Sequence, residues 1–442
     1  MSWKGDDMEA SSLQYSTIGD SIRQYRNKAN LTQSQLAELS GVSTGYISKI
    51  ENDEVERPSF EKVNPIANAL HIPIREVIQP YLEIGQKSDV LFGILREVIK
   101  GDGADLIDLI IKTASACLHS KDLDSIDLME RLYQFVDQEV NNDSLKLALY
   151  DLIIRYSRGY GINKFVAKAL FQKYLIERND FTKLHATYDS GRFVLHYIDF
   201  LSSEERTTLF YKLGVHAYNL RRFQESIDLC MNNVTEDIPV SLIKAESIAV
   251  VHNSYYYLGE YILSESYLKQ YMTFPYPHIQ DNAKLMMAVL NVKKGDKELA
   301  LSQLEECLQS CGDNALLHVI NQLMILYLEM NDWASIEKLL KWENKIVSIP
   351  YITPYKKSEL AHFYKLKGNY CVSIGNIENG IQCYLESALR YSQVNDILNE
   401  RECCSLIIKL YTDRDKMMDV ETLKKLQLLY NQCNDWGNSS SL

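Results

Sequence analysis

A repeated pattern of paired helices in the C-terminal half constrains the fold more than any other feature. Each unit has a small residue in a first helix, then a turn, then an aromatic residue or a substitute before a second helix. Successive units lie roughly 36 to 44 residues apart, beginning near Arg206. A short helical pair leaves an apolar face that only its neighbours can cover, so such units stack. The pattern therefore predicts an all-α chain with a concave inner wall.

The five units resemble tetratricopeptide repeats, whose helical pairs recur every ~34 residues. They read LFYKLGVHAYNLRRFQESIDLC, AVVHNSYYYLGEYILSESYL, LMMAVLNVKKGDKELALSQLEECL, VINQLMILYLEMNDWASIEKLL and FYKLKGNYCVSIGNIENGIQCYLESAL. The resemblance implies a right-handed superhelix over residues 105–432. More degenerate pairs are expected within residues 105–205, and a capping segment is expected at residues 400–432.

A second informative stretch is residues 32–52, TQSQLAELSGVSTGYISKIEN, which predicts two short helices joined by a tight turn. Thr32 has the N-cap position of the first helix, and Gln35 follows at the capping-box spacing. Gly41 lies where the chain must turn, which a residue without a side chain does at least cost. Ser43 is expected to cap the second helix. The predicted apolar faces consist of Leu36, Ala37, Leu39, Ile47 and Ile50.

The flanking segments predict one helix before this stretch and one after it. The first is amphipathic, IGDSIRQYRNK, and the second covers residues 59–70. Pro65 lies inside the second, where a proline costs on the order of 3 kcal/mol, so we expect a kink or a late start. The motifs IGDSIRQYR, LTQSQLAELSGVSTGYISKIEN, RPS and IANALHI together resemble the Xre, or lambda-repressor-like, helix-turn-helix family over residues 18–78. The alternative is a small helical domain that only packs on its neighbour.

The second helix of the motif has small and polar residues at its exposed N-terminal end, which suits the major groove of DNA. We expect Thr44, Tyr46 and Lys49 at base edges or adjacent phosphates, with Ser43 beside them. The family resemblance implies that Gln33 and Asn52 hold the phosphate backbone. Arg23 and Lys28 are either further phosphate contacts or solvated charges. A dimer would then place two such helices in successive major grooves of an inverted repeat.

The charge of the chain limits how it could bind DNA. The net charge is −12, and residues 18–78 contain seven Lys and Arg against eight Asp and Glu, a net of −1. A broad positive field is therefore excluded, and binding would depend on a few placed cations. We expect modest nonspecific affinity, with dimerisation supplying much of the affinity for an operator.

Catalytic and metal-binding patterns do not emerge from the sequence. Nine cysteines are scattered without framework spacing, and the pairs at Cys307 and Cys311 and at Cys403 and Cys404 lack the partners of a metal site. We interpret them as buried, reduced thiols. The sequence has no GxxxxGK[ST] loop, GxSxG elbow or HExxH motif. The expectation is a protein that is not an enzyme and uses no cofactor or metal.

The location and domain boundaries follow from local composition. No run approaches the ~20 apolar residues that span a bilayer, and the N-terminal MSWKGDDMEASS lacks the apolar segment of a signal peptide. We expect a cytoplasmic protein without a membrane partner. GDGAD at residues 101–105 is expected to be a turn, and Pro80 to break a helical connector. The predicted domains are a disordered arm at 1–17, a helix-turn-helix domain at 18–78, a connector at 79–104, repeats at 105–432 and a tail at 433–442.

The concave wall of the repeats predicts a peptide-binding groove. An extended peptide brings backbone N–H and C=O groups that need partners, and asparagine amides donate and accept at once. The alignment of the units places Asn253, Asn321 and Asn369 on the inner wall, and Asn291 and Asn219 near its edge. Packing neighbours of the peptide would be Tyr211, Tyr256, Tyr257 and His362. The alternative is that these asparagines are surface residues or contacts between helices.

The order of the two regions resembles the RRNPP group of peptide-pheromone receptors, and its size is most like the NprR branch. This resemblance implies a quorum-sensing regulator that binds operator DNA and a short signalling peptide, as a homodimer or tetramer. Some relatives also act on response-regulator proteins, which would be a minor second partner.

Two other functions are compatible with the same architecture. The repeats could be a scaffold for a partner protein, such as a response regulator or kinase, with the small domain as a tether to DNA. The chain could also be a phage lysogeny regulator that senses a peptide. A short reading frame downstream that encodes a secreted propeptide would favour the receptor.

Overall fold

The structure is a computed structural model, which describes residues 17–84, 86–101, 106–235 and 241–438. These residues form helices and connecting turns, with no strand among them. The chain divides into two compact units, Met1–Ala169 and Leu170–Leu442. No helix in the described part of the chain has both the length and the apolar character to cross a bilayer.

The described residues of the first unit form ten helices, the last of which continues into the second unit. Their bounds are α1 Ile18–Lys28, α2 Gln33–Ser40, α3 Thr44–Glu51, α4 Phe60–Ala69, α5 Ile74–Ile84, α6 Ser88–Val98, α7 Ile107–Leu118, α8 Ser125–Glu139, α9 Asp143–Tyr160 and α10 Asn163–Glu177.

Local hydrogen bonds explain where the first helices begin and end. The Thr32 side chain accepts the backbone N–H of Gln35, and the Gln35 side chain accepts that of Thr32, so the predicted capping box is present. Gly41 ends α2 in the left-handed region with φ of 71°. Ser43 occupies the N-cap of α3, but its side chain makes no capping hydrogen bond. Ser43 is therefore at the predicted N-cap position, but the hydrogen bond expected from its side chain is not formed.

The core of α1–α4 is close to the predicted one, with one error. Ile22, Leu36, Ile47 and Ile50 are at most 2% exposed. Leu39, which we expected on the apolar face of α2, is 62% exposed. Residue 39 lies in the last turn of α2, one position before the helix ends at Ser40, and its side chain faces solvent there.

Two prolines lie inside helices that continue through them. α4 begins at Phe60 and contains Pro65, so the late start that we considered is wrong. α5 contains Pro80, which we expected to break the connector. Packing explains the tolerance, because Tyr81 next to Pro80 is buried and its hydroxyl donates to the carbonyl of Pro58 at 2.9 Å. Tertiary contacts of this kind offset the lost backbone hydrogen bond.

In the part of the second unit that the structure describes, fourteen further helices follow α10, with 3-10 turns at Phe181–Lys183 and Val194–Phe200. Their bounds are α11 Leu184–Phe193, α12 Ser203–Asn219, α13 Phe223–Thr235, α14 Leu242–Tyr257, α15 Tyr261–Tyr271, α16 Pro277–Lys294, α17 Lys297–Ser310, α18 Asp313–Met330, α19 Trp333–Leu340, α20 Glu343–Ser348, α21 Pro354–Ser373, α22 Ile377–Ser392, α23 Ile397–Thr412 and α24 Val420–Asn438.

The five predicted repeat units coincide with helical pairs, α12 to α19 in succession and then α21 with α22. Small residues allow the two helices of a pair to approach closely. At Gly214 an added Cβ would overlap the Cys230 sulfur, and the Ser226 hydroxyl donates to the Gly214 carbonyl at 2.8 Å. The Ser387 hydroxyl makes the equivalent bond to the Ala361 carbonyl at 2.7 Å. The all-α class and the helical repeats are confirmed.

Some sequence predictions fall wholly or partly outside the described residues. These are the arm at 1–17, of which only residue 17 is described, the turn at 101–105, of which only Gly101 is described, and the last four residues of the tail. The boundary at residues 104–105 stays a prediction, since the division into compact units falls within α10.

Candidate functional site

The exposed face of α3 is the first candidate surface. Ile47 and Ile50 turn inward, while Thr44, Gly45 and Lys49 are exposed. A helix that buries one side and presents small and basic residues on the other can approach a base edge without a clash. The structure therefore leaves Thr44 and Lys49 free to act as predicted.

Tyr46 is held more firmly than its neighbours on α3. Its hydroxyl oxygen accepts the backbone N–H of Ser59 at 3.2 Å. The Lys62 ammonium lies 4.5 Å from the centre of its ring. Tyr46 therefore ties α3 to the start of α4, and only part of its ring remains available to a ligand.

A buried ion pair beneath this surface positions Gln33. The Arg26 Nε and Nη2 donate to the Glu51 carboxylate at 2.6 and 2.8 Å, and Gln33 Nε2 donates to the same group at 2.8 Å. Burial alone would raise the pKa of Glu51, but the hydrogen bonds from Arg26 and Gln33 outweigh it and lower that pKa. Glu51 therefore stays ionised and orients the Gln33 amide at the start of α2. The sequence carried no signal for this, because Arg26 and Glu51 are 25 residues apart.

Three other predicted phosphate contacts lie nearby. The Arg23 Nη2 donates to the Asn52 Oδ1 at 3.2 Å, so these two side chains are brought together at the surface. Lys28 lies at the end of α1 with its ammonium 5.2 Å from the centre of the Tyr25 ring. Arg23 and Asn52 form a joint polar patch, and Lys28 belongs to the other end of α1.

The helix-turn-helix family HTH_3 matches residues 22–77. These residues are a helix-turn-helix domain. The immunity repressor protein of Bacillus phage phi105 is 36% identical over 62 residues, which are 14% of this chain and 42% of that one. The HTH-type transcriptional regulator SinR of Bacillus subtilis is 31% identical over 61 residues, 14% of this chain and 55% of that one. The chain thus spans about half the length of these curated relatives.

Among solved structures, the Rap conjugation gene regulator of plasmid pLS20 with the Phr* peptide matches at a TM-score of 0.38 and 15% identity, covering 83% of this chain and 92% of that one. PlcR of Bacillus thuringiensis, with the peptide PapR7 and DNA, matches at 0.23 and 15%, covering 89% and 99%. Likenesses at TM-scores this low carry no argument about what this chain binds. Whether it belongs to the NprR branch stays a prediction.

The second candidate surface is a pocket in the second unit that two predicted peptide-binding residues line. Asn219 and Tyr257 share it with Tyr218, Arg221, Phe223, Tyr355, Ser358, Glu359 and Asp396, among others. The pocket joins the end of α12 to the start of α21 and the turn before α23. Its walls alternate aromatic rings with charged groups, which is a suitable lining for a peptide.

Ion pairing closes one side of this pocket. The Arg221 Nη2 and the Ser358 hydroxyl each donate to the Asp396 Oδ2 at 3.0 Å. The Tyr218 and Tyr355 ring centres lie 5.7 Å apart, and the Phe223 and Tyr257 rings stack at 5.0 Å. Within the second unit, the first repeat therefore contacts the last ones. Sequence analysis missed this group because Arg221 and Asp396 are 175 residues apart.

Behind the pocket, Asn321 and Glu359 form a buried polar pair. Asn321 Nδ2 donates to the carbonyl of Glu359 at 2.9 Å and to its carboxylate at 3.0 Å. Burial opposes ionisation of Glu359, but His318 and the Asn321 amide outweigh it and lower its pKa to about 2. Asn321 is 0% exposed, so its first role is to hold this carboxylate.

The remaining predicted asparagines divide into one free side chain and two that join helices. Asn253 on α14 is half-buried, and no hydrogen bond of its amide is found among the described residues. Asn369 accepts the Tyr384 hydroxyl at 2.7 Å, and Asn291 donates to Gln303 at 2.9 Å. Asn253 is therefore the asparagine best placed to receive a ligand, while the other two already connect the helices of their own pairs.

The remaining predicted aromatic and histidine residues are mostly packed. Tyr256 packs against the rings of Tyr257 and Tyr261. Burial raises the pKa of Tyr211 to about 12. Burial lowers the pKa of His362, although Glu359 opposes the shift. These three side chains are partly buried in the second unit, and of the four predicted neighbours of a peptide Tyr257 is the one that lines the pocket.

Proposed function

We propose that this chain is a cytoplasmic transcriptional regulator that binds operator DNA and is switched by a short signalling peptide. The observation that carries the DNA-binding half is the helix-turn-helix match at residues 22–77, together with the exposure of Thr44 and Lys49 on α3. The curated relatives over this region are named as a repressor and a transcriptional regulator. A homodimer would present two copies of α3 to an inverted repeat.

The peptide-binding half rests on the pocket of the second unit. It combines aromatic rings, the charged groups Arg221 and Asp396, and Asn219. Asn253 does not line this pocket itself; it lies four residues before the lining residue Tyr257 on α14, with its amide unbonded among the described residues. An extended peptide needs donors and acceptors for its backbone and apolar walls for its side chains. Binding there would change the contact between the first and last repeats. To switch a population decisively, the peptide must favour one conformer by ~5.5 kcal/mol.

DNA binding is tested by selecting double-stranded DNA from a random pool with the full chain and measuring affinity by fluorescence anisotropy. We expect Thr44→Ala to lower affinity for the selected site about 5- to 150-fold, the cost of one lost base contact. We expect Lys49→Gln to weaken binding to all sequences and to lower the salt slope by about 1. Lys121→Gln, an exposed lysine before α8, is the matched control. Equal affinities for all four proteins would refute the α3 surface.

Peptide binding is tested by calorimetry with hepta- to decapeptides from the C-terminus of any small secreted protein encoded nearby. We expect micromolar binding that Asn253→Ala weakens at least tenfold, about 1.4 kcal/mol. Asn232→Ala on α13 is the control, because that amide bonds only to carbonyls of its own helix. No binding by any peptide, with DNA still bound, would favour the scaffold function in which the repeats hold a partner protein.

A further inference from the structure

A second cavity lies in the second unit, between the end of α10, the end of α12 and the segment before α21. Its polar lining includes Arg178, His216 and Asn219, and its apolar walls include Phe181, Leu184 and Ile352. It encloses about 80 Å³. This volume is large enough for a small polar group.

Three buried polar atoms without a hydrogen-bond partner line this one cavity. They are Arg178 Nε, His216 Nε2 and Asn219 Oδ1, and they are half of the six such atoms in the described part of the chain. A buried polar atom that lacks a partner is destabilising, because it has lost water without gaining another hydrogen bond. Three such atoms around one space make it a candidate site for a polar group that hydrogen-bonds to them.

The residues around His216 decide which of its two ring nitrogens carries the proton. His216 is 2% exposed, and its Nδ1 lies 3.3 Å from the Tyr174 hydroxyl. The Arg178 guanidinium hydrogen-bonds to the same hydroxyl oxygen, so the hydroxyl proton is directed to Nδ1. With Nδ1 as the acceptor, the neutral ring carries its proton on Nε2. Nε2 therefore carries an N–H donor; it makes no full hydrogen bond among the described residues, although the Leu184 backbone at the cavity wall interacts with the ring.

Arg178, which lines the cavity, has no counter-ion among the described residues, and Lys212 on α12 is a second cation close enough to feel its charge. No ion pair of Arg178 or Lys212 is found in the ranges that the structure describes, although the Lys212 ammonium lies 5.3 Å from the centre of the Tyr211 ring. Burial and then Arg178 lower the pKa of Lys212. Burial, followed by Arg178, lowers the pKa of His216 to about 4, partly offset by the Leu184 backbone. An anion bound at Arg178 would supply the counter-ion that this half-buried guanidinium lacks among the described residues.

We propose that this cavity binds a carboxylate group of a ligand, through Arg178, His216 and Asn219. Arg178 Nε and His216 Nε2 donate to its oxygens. The Asn219 side-chain amide donates once it is rotated by 180°, which exchanges the positions of Oδ1 and Nδ2; the two atoms are nearly the same size. One guanidinium matches the single charge of a carboxylate, and the apolar walls disfavour a phosphate dianion. If the proposed function holds, the group is the C-terminal or an acidic side-chain carboxylate of the peptide.

The test uses N-acetyl-alanine as a carboxylate probe, with N-acetyl-alaninamide and inorganic phosphate as matched probes at constant ionic strength. Binding to the full chain is followed through the ring nitrogens of His216 in ¹⁵N-histidine spectra, assigned with His216→Gln. We expect N-acetyl-alanine alone to shift these signals. Arg178→Gln should lower its affinity at least fivefold, and Arg401→Gln, an exposed arginine on α23, should not. Equal shifts with the amide, tighter binding of phosphate, or no shift with N-acetyl-alanine would overturn the proposal.

Asn219→Asp provides a second test that does not depend on Arg178→Gln folding well. The new carboxylate would lie against Arg178 and His216, so we expect it to block N-acetyl-alanine and to raise the melting temperature. Unchanged probe binding by this variant would refute the site. The experiments distinguish the carboxylate site from the peptide-receptor function, because N-acetyl-alanine is too small to need a peptide-binding groove. Peptide binding without binding of N-acetyl-alanine rejects the carboxylate site alone. Binding of N-acetyl-alanine without peptide binding rejects the peptide-receptor function alone.

Discussion

Removal of the Glu51 carboxylate should destabilise the helix-turn-helix domain far more than its position at the end of α3 suggests. The side chains of Arg26 and Glu51 are 14% and 2% exposed, and two hydrogen bonds join them. Glu51→Ala leaves the Arg26 guanidinium half-buried without its partner and frees the Gln33 amide. Breaking a buried pair in this way costs about 3–5 kcal/mol. We take about 3 kcal/mol, because Arg26 reaches some solvent and keeps its bond to the Leu31 carbonyl.

The assay is hydrogen exchange of the full chain followed by mass spectrometry, which reports the opening of one region at a time. A loss of about 3 kcal/mol corresponds to roughly 150-fold faster exchange in the core peptides of residues 18–78. Glu54→Ala, three residues along and exposed, should change exchange by less than threefold, as surface substitutions do. An increase below threefold for Glu51→Ala would refute the reasoning that this pair holds the domain together.

Two further predictions concern acid and a helix contact. Because the pKa of Glu51 is lower in the folded domain than in the unfolded chain, its contribution to stability is complete above the unfolded value of about 4.3 and is lost as pH falls through the folded value. The measurement is hydrogen exchange of the α3 peptides from pH 6 downward, with rates corrected for intrinsic exchange. The exchange rate of the wild type should rise below about pH 4, and that of Glu51→Ala should not. Parallel pH curves for the two proteins would contradict this. Gly214→Ala should destabilise the second unit by about 1–3 kcal/mol, because its Cβ would overlap the Cys230 sulfur. Gly159→Ala on α9 has open space around it and should be neutral or stabilising by up to ~1 kcal/mol; thermal melting that ranks the two variants in the opposite order would be inconsistent with the packing described.

The sequence by itself determined the features that depend on residues within one or two helical turns. The capping box of Thr32 and Gln35, the left-handed Gly41 and the paired helices of the repeats are all present as predicted. These features depend on hydrogen bonds and periodicity between residues at most a few positions apart. Neighbours in sequence are neighbours in such elements whatever the rest of the chain does.

The tertiary structure alone decided which of these helices meet and which polar groups they bring together. The pairs Arg26 with Glu51, and Arg221 with Asp396, join residues 25 and 175 positions apart. Leu39 is exposed although it follows buried Leu36 at a helical spacing, so its exposure could not be predicted from the local pattern. The angles between helices depend on the summed packing of many side chains, so a local pattern cannot specify them. For the same reason Asn321 and Asn369, chosen as ligand contacts from the alignment of the repeat units, hold neighbouring helices in the folded chain.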